Sequence, residues 1–371
     1  LPKVTVIQVD YKGASVISDR VILKPGNNNK FVIFLKKIKQ ILSNYLGIEV
    51  DLRSSWANAS INYHSQLAFK NDVIISTFGP PACHIIASHF KYINPKLRWI
   101  ADYRDLWSTS HLLVIPSFKR KKLIKKELNL VSKKADLLTT VSSELAFQLE
   151  QFLKLPVATI TNGFDLEIQQ VLENYSNFKI QSISNSLRIV YTGMIYENRR
   201  DPRLLFKVVD EIINENSNFI ESFKIVFYGS SSTIVGKMVE NNSYNNFVRC
   251  EGHLSRDLVF KEQKNSDFLL LLESGDHDAK GVLTGKIFEY IAMGRPIISL
   301  GSLGDSSIGN LLKDTGCGFC YENNFMKLKF DLINALNGIR PEWYQPNLKE
   351  IIKYSREKQA NILFDIINEI S

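Results

Sequence analysis

Thr284, Gly285 and Lys286 stand side by side in LTGKIFEYIAMGRPIISL (Leu283 to Leu300), with Glu289 one helical turn further on. The spacing of Ile287, Phe288, Ile291 and Ala292 predicts a helix with one apolar face, stopped near Gly294 before a strand that Pro296 opens. Free N–H groups at a helix mouth attract anions, and the helix dipole adds about 0.3–1 kcal/mol per charge at such a position. Gly285 would let backbone approach a phosphate closely, and Lys286 supplies a full charge. Glu289 cannot serve a phosphate, but it can accept hydrogen bonds from two sugar hydroxyls. Phosphate at the mouth and ribose beside it describe a nucleotide diphosphate. The plain alternative is a surface Lys–Glu pair worth roughly 0.2–0.5 kcal/mol, and this stretch taken alone favours it.

Two further constellations bear on that choice. IVYTGMIYENRRDPRLLFKVV reads as strand, glycine turn, paired arginines and helix. Gly193 closes the strand, at the end where α/β sheets bind ligands. Arg199 and Arg200 carry planar, permanently charged groups suited to bidentate phosphate contact; the alternative is a solvated basic loop. In RWIADYRDLWS, Asp102, Arg104 and Asp105 follow a strand's carboxyl end, where clustered charges are costly unless paired or used. Either they serve chemistry or Asp102 and Arg104 clasp the loop.

The elements that position these residues alternate between β-rich apolar runs and helical patterns, the mark of α/β layering on parallel sheets. Strands are expected at Val4–Val9, Asp72–Ser76, Leu97–Ala101, Leu137–Val141 and Val157–Ile160. A second series follows at Leu187–Tyr191, Phe223–Tyr228, Phe247–Cys250, Asp267–Leu272 and Pro296–Leu300. FVIFLKKIKQILSNYL and PACHIIASHFKYI read as amphipathic helices, with His84 and His89 on the surface of the second. The turn in ITNGFD and the polar stretch after it place a domain boundary: residues 1–165, then 166–348, then a closing helix over 349–371. At 371 residues, two domains are the expectation.

A hydrophobic fraction of 44% fits globular domains with cores of their own. No run approaches the ~18 apolar residues of a membrane span, and the first residues lack a signal-peptide layout. Four cysteines in such a chain argue against a disulfide framework and fit a reducing cytoplasm. CGFC (Cys317–Cys320) lacks a second pair or a nearby His for zinc, and reads as a turn into a short strand. Asp276-His277-Asp278 has the Asp-x-Asp pattern of a metal site but follows LLLLES in a loop, without the setting such a site needs. The net charge of +8 suggests an anionic partner. Much of it lies in Phe118–Asp136, a basic amphipathic helix that would lie on an anionic membrane or be an ordinary solvated face. No recognition module points to nucleic acid.

ISTFGPP…WIADYRDLW, TNGFD, YTGMIYENRRDP, CEGHLS and TGKIFEYIAMGRPII occur in the order seen in GT-B glycosyltransferases. From about Asp72 onward the chain resembles the family 4-like branch that builds bacterial surface polysaccharides such as capsule or O-antigen. The resemblance implies two Rossmann-like domains facing a cleft, with the C-terminal helix packing back on the N-terminal domain. It implies donor binding by Gly193, Arg199, Arg200, Thr284, Gly285 and Lys286 at the diphosphate, Glu289 at the ribose, and His253 and Leu254 beside the base. Asp102, Arg104 and Asp105 would be the catalytic, acceptor-facing group. No metal or other cofactor is implied, because cations and a helix dipole stabilise the departing diphosphate. Many members carry two glutamates eight apart; here the first position is Gly281, which implies an altered contact to the donor sugar. LPKVTVIQVD resembles the unit after the family's opening strand and glycine-rich acceptor loop, so that strand and loop are expected to be missing from these residues.

These readings converge on a cytoplasmic, metal-independent glycosyltransferase, at the inner membrane face, moving a sugar with retention from a nucleotide sugar to a lipid-linked or oligosaccharide acceptor. Two alternatives stand beside it: a non-catalytic nucleotide-sugar-binding scaffold, and a nucleotide-sugar epimerase.

Overall fold

A computed structural model describes residues 4–9, 53–110, 113–180, 186–195, 200–229, 232–240 and 243–370. The chain divides into two compact units. One comprises Leu1–Thr140, Leu145–Thr159 and Ile366–Ser371; the other comprises Val141–Glu144 and Ile160–Asp365.

In the first unit, β1 (Val73–Thr77), β2 (Arg98–Tyr103), β3 (Leu137–Thr140) and β4 (Val157–Thr159) form a parallel sheet in that spatial order. Parallel strands need crossovers, and helices Ala82–Ile93, Ser117–Glu127 and Ser143–Leu153 lie between them in sequence. Trp99, Tyr103, Trp107, Leu138, Leu149 and Leu153 build the core. Residues 4–9, expected to be a strand, form none, and Val4 and Val6 are exposed. β-branched alternation favours a strand only where an edge is there to pair with. The expected helix in FVIFLKKIKQILSNYL lies outside the described residues.

In the second unit, β5 (Leu187–Thr192), β6 (Phe223–Tyr228), β7 (Val248–Glu251), β8 (Phe268–Leu272), β9 (Ile297–Leu300) and β10 (Gly318–Cys320) form a parallel sheet ordered β10-β9-β8-β5-β6-β7. The chain steps outward from β5 to β7, then crosses to the far side of β5 and steps outward again. Strand order therefore reverses between β5 and β8, the switch point at whose carboxyl end open α/β sheets bind ligands. Every residue of β8 is buried, as suits a central parallel strand covered on both faces. CGFC forms the edge strand β10.

Three other expectations are corrected. His84 is fully buried rather than on the helix surface, because its ring packs among Trp99, Tyr103, Trp107 and Phe78. The basic run is a helix, Ser117–Glu127, followed by a π turn, Leu128–Ser132. Its Leu123, Leu128 and Leu130 pack against the core, leaving Lys121, Lys122, Lys125 and Lys126 exposed. The closing segment is two helices, Leu348–Ile352 and Arg356–Ile370. The break falls where Ser355 bridges Phe164 and the Phe164 and Arg356 amides bond across.

Candidate nucleotide-diphosphate site

The switch point in the second unit is where the sequence motifs meet. The carboxyl ends of β5, β6 and β7 each run into a glycine. The Gly193 N–H donates to Tyr228 O at 3.1 Å and the Gly229 N–H to Gly252 O at 3.2 Å. These bonds tie the loop carrying His253 to the same edge of the sheet; His253 is exposed and Leu254 half-buried.

Across the switch point lies the helix Gly285–Ala292, capped by Thr284 without a side-chain cap bond. The Thr284 side chain thus takes none of the first-turn N–H groups, while the Ile287 N–H donates to Thr284 O at 3.4 Å. Two contacts set the direction of its mouth. The fully buried Tyr290 hydroxyl accepts from Thr192 N at 3.0 Å and lies 3.2 Å from Thr192 Oγ1, fastening the helix to the end of β5. At the other end Asn174 Nδ2 donates to Ala292 O at 2.9 Å and Tyr175 Oη to Ile291 O at 2.5 Å, so the helix stops where Gly294 predicts.

Lys286 reaches from this mouth to Gly193. Its Nζ lies 4.3 Å from the centroid of the Tyr191 ring, a cation–π contact. Gly193 adopts φ +144°, a region that favours glycine. Burial, with Arg200 nearby, lowers the Lys286 pKa to about 8, while Glu273 and Glu289 oppose the shift. Arg200 Nη1 donates to Met194 O at 3.3 Å, and Nη2 lies 3.5 Å from Glu273 Oε2. Two cations, an uncapped helix mouth and a side-chain-free turn therefore converge. Arg199 lies outside the described residues.

Glu273, which the motifs did not single out, belongs to this group. It follows β8 directly, and its Oε1 accepts from Thr284 Oγ1 at 3.4 Å. Burial raises its pKa, while Arg200 and Lys286 pull it back down. The signal was present in FLLLLES: a charge placed at the end of an all-apolar central strand.

Glu289 is half-buried one turn along the helix; burial raises its pKa, opposed by Arg256, Lys286 and Arg356. Arg256 and Arg356 both pair with Asp165 of TNGFD, at 2.8 and 2.9 Å. Gly281 is buried, and its carbonyl accepts from Ser142 Oγ at 2.6 Å.

In the first unit, Asp102 is nearly buried. Its Oδ1 accepts from Thr139 Oγ1 at 2.8 Å and its Oδ2 from Arg104 Nε at 3.1 Å. That is the clasp that was the alternative to a chemical role; Asp105 beside it is exposed. The loop is held by Glu127, the one glutamate in the basic run. It is fully buried and accepts from Tyr103 Oη and the Ser108 N–H, both at 2.9 Å. Asp276, His277 and Asp278 are exposed in a short 3-10 turn. No group of three or more His, Cys, Asp or Glu residues gathers as a metal site among the described residues.

No family model matches the sequence, and no curated protein matches it. Solved structures do match. Sucrose-phosphate synthase from Thermosynechococcus elongatus is similar at TM-score 0.59 and 12% identity, covering 86% of this chain and 78% of that one. The alpha,alpha-trehalose 6-phosphate synthase of Burkholderia multivorans is similar at TM-score 0.58 and 9% identity, over 88% and 79%. The chain has the GT-B glycosyltransferase fold. The pneumococcal O-GlcNAc transferase GtfA, solved with UDP and GlcNAc, is similar at TM-score 0.50 and 12% identity; this chain spans 60% of its length.

Proposed function

We propose that this protein is a glycosyltransferase that draws on a nucleotide-diphosphate sugar held in its second unit. The observation that carries this reading is the meeting of Lys286, Arg200 and the open helix mouth around Gly193 at the β5/β8 switch point. Similar folds in enzymes named as sugar-phosphate synthases and as an O-GlcNAc transferase support it.

In this reading the diphosphate lies against Gly193 and Gly285, with the charges of Lys286 and Arg200 and the partial charges of the helix N–H groups on its oxygens. These groups are in place before charge develops on the leaving phosphate, which lowers the barrier without reorganisation. Glu289 accepts from the ribose hydroxyls, and Arg199, His253 and Leu254 complete the donor side. Asp102, Arg104 and Asp105 form the acceptor side. Asp102 and Arg104 hold the loop, and Asp105 orients the acceptor hydroxyl. The anomeric configuration is retained by a front-face route, since no residue stands out as a nucleophile. No metal or further cofactor takes part.

The acceptor is a lipid-linked saccharide in surface-polysaccharide synthesis, met at the inner face of the plasma membrane. Lys121, Lys122, Lys125 and Lys126, with the exposed Val114 and Phe118, supply the membrane contact. No helix among the described residues is long and apolar enough to cross a membrane. With Leu123, Leu128 and Leu130 packed against the core, the contact is chiefly electrostatic. Pelleting with anionic vesicles should then fall steeply with salt.

The test is to incubate the protein with UDP-, GDP- and ADP-sugars, with and without a lipid-linked saccharide fraction, and to analyse products by mass. Sugar transfer that needs the acceptor and is lost in Arg200→Ala and Glu289→Ala is the expected result. A changed sugar with donor alone would mean epimerisation, and binding without turnover would mean a scaffold.

A further inference from the structure

Glu273 is out of place in a site built for phosphate. It stands beside the two cations that hold the diphosphate, 3.5 Å from Arg200 and within electrostatic reach of Lys286. Its position is not accidental slack at a strand end. The Glu273 N–H donates to Leu300 O at 2.9 Å, and a Cβ at Gly301 would stand 2.2 Å from Glu273 O. Gly301 has φ +80°, so the end of β9 closes directly over the Glu273 backbone. Thr284, at the helix cap, turns its hydroxyl to this carboxylate. The fold therefore holds a negative charge at the place where the ligand's own negative charge must sit.

On the reading that this is the donor site, we propose that Glu273 discriminates between the nucleotide sugar and the nucleoside diphosphate left after transfer. The two ligands differ at the phosphate nearest the leaving bond. In the sugar donor that phosphate is a diester. In the product it is a terminal phosphate that loses a second proton near pH ~6, so at neutral pH it carries nearly one further negative charge. A carboxylate held beside the cations at that phosphate repels the product more than the donor, and in a largely buried site the repulsion is weakly screened. The donor also brings sugar hydroxyls that can donate to the carboxylate, whereas the product brings none. Lys286, Arg200 and the helix mouth attract both ligands, the product's further charge included; Glu273 offsets that extra attraction and thereby speeds product release.

The experiment is calorimetric titration with UDP and UDP-glucose, with the ADP and GDP pairs in parallel, on wild type, Glu273→Gln and Glu273→Asp. Thermal unfolding of each unliganded variant checks that it folds. Glu273→Gln should tighten the diphosphate relative to its sugar by roughly tenfold or more, and Glu273→Asp should keep most of the wild-type ratio. A ratio unchanged in a folded Glu273→Gln protein would overturn the proposal and leave the donor site standing. A chemical probe makes the same comparison through the ligand: the methyl ester of the UDP terminal phosphate, with one charge fewer, should lose ground to UDP in Glu273→Gln relative to wild type. An unchanged ratio of the two affinities would sink the idea. If no diphosphate and no nucleotide sugar binds wild type, the donor-site reading fails and this inference with it.

Discussion

A Cβ at Gly193 would stand 2.1 Å from Lys286 Nζ, so the lysine's charge occupies the space that any side chain at the end of β5 would need. The glycine and the lysine lie more than ninety positions apart in the chain, yet each defines the other's place. Gly193→Ala must push the ammonium off the Tyr191 ring and strain a backbone at φ +144°. The strain should cost about 1–3 kcal/mol in chemical unfolding. Binding of UDP or its counterparts should fall by at least ~10-fold, and a protein that kept wild-type affinity would break the assignment.

Gly285 gives the complementary case. It opens the helix, is exposed, and a Cβ there meets nothing within 4 Å. Gly285→Ala should therefore leave stability unchanged or raise it by up to ~1 kcal/mol, through lost freedom of the unfolded chain. If phosphate sits against that backbone, the same methyl group weakens nucleotide binding. A split between stability and affinity is the expected outcome of paired unfolding and titration measurements.

Lys286 makes binding depend on pH. Its folded pKa of about 8 lies below the ordinary 10.5, so the unfolded chain binds the proton more strongly and its burial penalty is relieved as pH rises through that window. An anion on the ammonium favours the charged form. The Lys286 contribution to nucleoside-diphosphate affinity should thus be constant below pH 8 and fall above it, approaching tenfold per unit. Lys286→Met should bind weakly and show no such step.

His84 predicts the acid limb of stability. Burial lowers its pKa to about 3, with Ser76 Oγ 2.7 Å from Nδ1 and no partner for Nε2. The unfolded imidazole takes a proton near pH ~6.5 that the folded one refuses. Stability should fall as pH drops from ~6.5 toward 3, at up to ~1.4 kcal/mol per unit from this residue. Urea midpoints for His84→Gln across that range should lose one proton's worth of slope.

Glu127 tests what holds the Asp102–Ser108 loop. Glu127→Leu leaves the Tyr103 hydroxyl and the Ser108 N–H without their acceptor. That should cost about 1–3 kcal/mol per group left unsatisfied, against a smaller loss for Glu127→Gln, which keeps one acceptor oxygen.

The strands of both sheets were legible because each is an apolar run bounded by turn residues; β6 begins and ends where Phe223–Tyr228 was read. Lys286 and Glu289 were legible because helical spacing places them, and Gly193 because it ends a strand. Other features depend on tertiary neighbours that no local pattern carries. Glu273 joins the cluster of Arg200 and Lys286 only once β8 lies beside β5. His84 falls on a helix whose buried face is wide, and only its aromatic surroundings show which way it points. At Val4–Val9 alternation suggests a strand that does not form, since pairing depends on an available edge, which sequence does not report.

The measurement that bears most directly on the central claim is a thermal-shift titration of the purified chain with UDP, GDP, ADP and UMP, repeated on Lys286→Met and Glu289→Ala. At ~100 times its dissociation constant a ligand stabilises by about 2.7 kcal/mol. The account predicts a clear rise with one diphosphate, a weaker one with the monophosphate where the base matches, and loss in both variants. No rise with any diphosphate, or a rise untouched by either substitution, would contradict a donor site at the Gly193–Lys286 turn.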